Sequence, residues 1–96
     1  MSEDGYRGSA VLDVGGDRYD VRVHLGGQVE PVDGRYHWGG RVAPHPALAA
    51  VVRAGARDAR LLAGAAPATD VWLTEVDPWG GVLLRATGAP PWAPKG

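Results

Sequence analysis

Residues 18–25 read Arg-Tyr-Asp-Val-Arg-Val-His-Leu, so Tyr19, Val21, Val23 and Leu25 alternate with Arg18, Asp20, Arg22 and His24. Four repeats at period two put the apolar set on one face of an extended strand and the polar set on the other, a pattern that a helix of period 3.6 does not give. Such a strand must bury one face and pair its backbone groups on its flanks. The rest of the chain therefore has to supply more strands.

It supplies five. "YRGSAVLDV" (6–14) reads as the strand before it, joined by a turn at Gly15-Gly16-Asp17. Gly26 and Gly27 suggest a bulge or bend, after which "QVEPV" extends to Asp33-Gly34. "RYHWGGRVA" (35–43) alternates again, with Tyr36, Trp38 and Val42 on one face and Arg35, His37 and Arg41 on the other. Asp-Gly between two alternating runs is a strong hairpin signal. "ARDARLLAG", "TDVWLTEVD" and "VLLRATG" follow as three more strands, the last two joined by the tight turn "DPWGG". Residues 45–54 form the one helix. Pro46 suits its first turn, Leu48, Val51 and Val52 make its apolar stripe, and Gly55 ends it. Two to three turns are too few to stand alone, so the helix must pack on the sheet.

A chain of 96 residues makes one domain. Residues 1–5 read as a flexible start, 6–88 as the domain and 89–96 as a proline-rich extended tail. Six strands and one short helix predict a mainly β domain of consecutive antiparallel hairpins, a six-stranded barrel-like fold with the helix plugging one end. Closure into a barrel, or pairing of edges between two copies, removes exposed strand edges. A homodimer is expected, and Trp92 is expected to tack the tail on the barrel or on the second subunit.

Composition closes several routes to function. Cysteine is absent, so there are no disulfides, thiolate nucleophiles or sulfur-bound metals. A net charge of −1 offers no broad cationic surface for nucleic acid. "MSEDGYRGSA" lacks the basic start and apolar run of a secretion signal, and no segment approaches the ~20 apolar residues of a membrane span. The chain reads as cytoplasmic. The glycine pairs in "VGGD" and "HLGGQ" join strands and do not open helices, so no phosphate-binding loop or other cofactor motif is present.

The densest side-chain chemistry lies in "DGRYHWGGR" (33–41). A two-residue Asp33-Gly34 turn sets Glu30 across from His37, with their Cβ atoms ~5 Å apart. Glu30 then orients the imidazole as a general base, or the two form a plain surface pair. A second register, with residues 26–34 as a wide loop, sets His24 across from His37 and Asp20 across from Arg41. Two histidines fall short of the three or four ligands zinc needs, and His45 sits at the helix entrance, where it supports the helix start. No metal site is expected.

Four tryptophans stand in a chain without phenylalanine. Trp38 reads as core. Trp79, in the "DPWGG" turn, folds over a barrel end or lines an interface or ligand mouth. Asp77 reads as a turn-forming acid that accepts backbone N–H groups. Arg18, Arg22, Arg35, Arg41 and Arg85 read as a solvated polar face, with an anionic ligand as the alternative. A ligand site, where there is one, is expected at the barrel end reached by Trp79. Trp38, Tyr36, Arg35 and Arg41 would lie around it, Glu30 and His37 would form its polar wall, and Trp72 or Leu84 its apolar wall.

The stretches "YRGSAVLDV", "VRVHLGGQVEPVDGRYHWGGRV" and "EVDPWGGVLLRATGAPP" together resemble DUF4873, a small actinobacterial family of unknown function. The resemblance runs from Tyr6 to Pro91 and is most specific over Glu30–Val42 and Glu75–Gly81. It implies a domain found alone or appended to flavin-dependent monooxygenases of the Baeyer–Villiger type, and it supplies no catalytic residues. It also implies a bulkier residue at Gly39 or Gly40, so that glycine at both positions opens a space beside Trp38 or loosens the strand. The expectation is an accessory or binding module partnered by such an enzyme or by a small apolar metabolite. The alternatives are a small isomerase or cyclase using Glu30 and His37, and a purely structural dimerisation subunit.

Overall fold

The structure is a computed structural model that describes residues 5–29, 36–64 and 67–88. The elements are β1 (Gly5–Val14), β2 (Asp17–Val29), β3 (Tyr36–Val42), α1 (Pro46–Arg53), β4 (Asp58–Leu62), β5 (Thr69–Val76) and β6 (Val82–Thr87). All strand pairs are antiparallel, and the sheet closes as a barrel in the order β1-β2-β3-β6-β5-β4.

The six strands and the helix follow the sequence pattern, but the order is not one of consecutive hairpins throughout. After β3 the chain crosses through α1 and re-enters the sheet beside β1, which leaves β6 to pair with β3. Closure leaves no free sheet edge among the described strands, so pairing of edges between copies is not how this sheet is completed.

Alternation sets the inside and outside. Leu12, Leu61, Leu73 and Leu84 point inward and are at most 2% exposed. Each contributes about 1.5–3 kcal/mol by leaving water. Glycine shapes the turns and the tightest strand contacts. Gly15 and Gly16, with φ of 61° and 96°, make the two-residue β1–β2 turn that side chains would strain. The expected break at Gly26-Gly27 does not occur, because β2 continues through both glycines in unbroken register with β3, and with β1 as far as Gly26. The irregularity lies in β5, between Leu73 and Glu75.

The helix is held at both ends. His45 is its N-cap, and its Nδ1 accepts the Leu48 N–H at 3.2 Å. At the other end Gly55 N–H donates to Val52 O at 2.9 Å and Ala56 N–H to Val51 O at 3.0 Å, with Gly55 at φ 115°. This is a Schellman stop, and the conformation suits glycine. Leu48, Ala49 and Val52 are buried, and α1 packs on β5 and β6 at the barrel end where β3 finishes and β4 begins.

Candidate functional site

The side-chain chemistry falls into two places at different ends of the strands. The first is the β5–β6 turn. Asp77 N–H donates to Gly81 O at 2.8 Å, and Gly80 N–H to Asp77 O at 3.0 Å. The Asp77 carboxylate turns inward and accepts the N–H groups of Trp79 and Gly81, each at 2.9 Å. It also accepts Arg41 Nε, and Nη2 at 3.4 Å. Arg41 comes from β3 and lies over Gly81, where an added Cβ would stand 2.6 Å from the guanidinium. The hydrogen bond from Arg41, with the backbone donors of Gly81 and Trp79, holds the Asp77 carboxyl at about 2, below its ordinary 3.8, against the opposing effect of burial. The Asp77 bond in turn raises the Arg41 guanidinium. Trp79, at the tip of this turn, is 76% exposed.

The second place is a groove of about 820 Å³ on the outer face of β2, β3, β6, β5 and β4. His37, Arg85, Thr87, Trp72, Asp58 and Asp70 line it, and its floor is bare backbone at Gly26 and Gly39. His37 Nδ1 lies 3.4 Å from Thr87 Oγ1. Trp72 is 50% exposed. The alternation of β5, with Val71 and Leu73 buried, puts Trp72 outside. That signal was readable in "TDVWLTEV". The joint placement of Arg85 and Asp58 beside it was not, since it depends on the strand order.

The structure separates residues that the sequence grouped. Val29 pairs with Tyr36, so Gln28, and not Glu30, stands opposite His37. The register lies two residues from the one a two-residue Asp33-Gly34 turn gives, and it also excludes the His24–His37 alternative. His24 instead stands opposite Arg41. Glu30, Arg35 and the Asp33-Gly34 turn lie outside the described residues, as does Trp92, and of Tyr36 the backbone alone is described. His37 and Trp79 do not share an opening. Trp79 follows the Val76–Val82 pair, beside Val42, whereas His37 pairs with Thr87 at the far end of β6. The five residue steps from Val82 to Thr87 separate the two ends by about 17 Å.

Trp38 is core, 3% exposed, and Gly27 makes its room, since a Cβ there would stand 2.6 Å from Trp38 Cβ. Gly39 and Gly40 line the outer groove beside it as bare backbone, and neither position has space for a side chain. A Cβ on Gly39 would meet Leu84 O at 2.3 Å, and one on Gly40 would meet His24 O at 2.0 Å. The two glycines let β3 press against both neighbours, so a bulkier residue at either has no room. Among the described residues no three His, Asp or Glu side chains gather as a metal site, and no helix is long and apolar enough to cross a membrane.

The fold and its surfaces define a small closed β-barrel with a packed interior and its polar chemistry outside. The chain belongs to the family described as a domain of unknown function, DUF4873, which it matches over residues 3–93. It is also similar to uncharacterised proteins of Mycobacterium bovis and Mycobacterium tuberculosis, 37% identical over 91 residues, or 95% of this chain. The chain spans about a quarter (25%) of the length of these relatives. No solved structure matches it.

Proposed function

We propose that this domain is a non-catalytic accessory module that docks on a larger protein through the Trp79 turn. One observation carries the reading. Trp79 is 76% exposed on a turn whose backbone is fixed by the Asp77 carboxylate and Arg41. An indole on a rigid support loses little backbone freedom when a partner covers it, and tryptophan is among the residue types that dominate binding energy at interfaces. The packed barrel interior supports a binding role over an enclosed catalytic chamber. The length of the mycobacterial relatives supports a module that works within or beside a larger chain. The family resemblance favours a flavin-dependent monooxygenase as that partner, with the small apolar metabolite as the enzyme's own substrate. That Gln28, and not Glu30, stands opposite His37 in the register supports the accessory reading over an isomerase using that pair.

The test is a photo-crosslinking residue at position 79, with a control at exposed Arg53 on α1, expressed in the native host. The expected product is a flavin-dependent enzyme captured from position 79 and not from position 53. Equal capture from both positions, or none from 79, removes this reading.

A further inference from the structure

On the outer face of the barrel, Arg85, Trp72 and Asp58 stand in one row across β6, β5 and β4. Trp72 is the register partner of both Arg85 and Asp58. Strands about 4.8 Å apart place the two charges about 10 Å from one another, with the indole between them. All three side chains are exposed, and among the described residues neither Asp58 nor Arg85 has an ion-pair partner. The nearby Asp70, by contrast, is already paired with Arg60 at 3.5 Å.

A row that reads cation, aromatic, anion is its own complement under a twofold axis through its centre. We infer that this face is a homodimer interface, with the axis passing by Trp72. The two indoles stack across the axis. Arg85 of each protomer meets Asp58 of its partner, so both ion pairs form at once, as an isologous contact requires. Offset aromatic stacking supplies attraction at the centre, and the paired charges fix orientation. The groove at Trp72, with no side chain at Gly39 on its floor, gives the second protomer room to approach. The row crosses the hairpin at the Trp72–Arg85 pair, short of the Val76–Val82 pair that leads into the Trp79 turn, and it does not rest on the docking role proposed for that residue.

Charge reversal tests the pairing directly. Sedimentation equilibrium of the wild-type chain should give twice the 10.0 kDa of one protomer. Arg85→Asp alone sets two carboxylates together across the axis, and Asp58→Arg alone sets two guanidinium groups together. Each should weaken dimerisation at least about tenfold while circular dichroism stays unchanged, because both positions are on the surface. Mixing the two single variants should restore a one-to-one dimer, since one chain then carries two acids in the row and the other two arginines. A wild-type chain that stays monomeric up to millimolar concentration overturns the inference. So does a dimer that neither reversal weakens, or a mixture that does not recombine. Titration with anilinonaphthalene sulfonate covers the other occupant. Dye bound by a monomer and lost in Trp72→Ala would assign the groove to an apolar small molecule instead.

Discussion

Arg41 and Asp77, thirty-six residues apart in sequence, join the end of β3 to the β5–β6 turn over the bare backbone of Gly81. The contact exists because α1 carries the chain past two strand positions, which leaves β6 as the neighbour of β3. One carboxylate thus serves three donors: the guanidinium, Trp79 N–H and Gly81 N–H. Removing it would leave two inward backbone N–H groups and a cation without their acceptor.

Asp77→Asn should therefore lower the melting temperature by several degrees at neutral pH, and the difference from wild type should depend on acid. The folded-state carboxyl sits at about 2 against an ordinary 3.8. A lowered folded value means that the stabilisation is fully present above the unfolded value and is lost as pH falls through the folded one. The gap between wild type and variant should hold steady above about pH 5 and close between about pH 4 and pH 2. Urea midpoints across that range check it. A gap that stays constant down to pH 2 would contradict the ion pair as its source.

Glycine substitutions should separate steric need from conformational need. Gly40→Ala drives a Cβ to 2.0 Å from the His24 carbonyl, and only movement of the backbone can relieve that contact. We expect a loss above about 3 kcal/mol, in the range reserved for disrupted cores and backbones. Gly16→Ala meets open space and suffers only from its φ of 96°, which costs about 1–2 kcal/mol. Chemical denaturation of both variants gives the comparison, and equal losses would count against the close approach of β3 to β2.

Much of this fold was legible in the chain, for a local reason. Period-two alternation at 18–25, at 35–43 and over 69–73 marks strand and face together, so the burial of Val23, Trp38 and Leu73 follows from spacing alone. His45 as a helix cap and Asp77 as an acceptor of turn N–H groups are local as well. Register and neighbour choice are not local. An Asp-Gly pair names a turn residue without fixing the loop length, and a shift of two residues keeps every face while replacing Glu30 by Gln28 opposite His37. The β3–β6 pairing joins residues forty to fifty positions apart, so neither the Arg41–Asp77 contact nor the separation of Trp79 from His37 could be read from spacing.

The helix cap offers a small and specific test. His45 Nδ1 accepts the Leu48 N–H, and its ring meets Tyr19 edge-on with centroids 5.7 Å apart. His45→Ala loses both contacts and should cost about 1 kcal/mol. His45→Asn keeps an N-cap acceptor without the ring and should recover most of that loss, so the two thermal midpoints divide capping from packing. If the asparagine variant is no better than alanine, the ring contact with Tyr19 outweighs the cap.

The tryptophans should divide most sharply of all. Trp38 is 3% exposed between the barrel walls, so Trp38→Ala leaves a large cavity and should cost about 3–5 kcal/mol. Trp79 is 76% exposed, and the Asp77 carboxylate holds its backbone N–H, not its ring. Trp79→Ala keeps that backbone bond and should change stability by no more than about 0.5 kcal/mol. A residue that large, neutral to folding and fixed on a rigid turn, is available for contact with another molecule. Urea unfolding followed by circular dichroism makes the comparison without relying on the fluorescence of the residue removed. A loss of more than about 2 kcal/mol for Trp79→Ala would mean that the indole packs on the barrel, and the docking role assigned to it would fall.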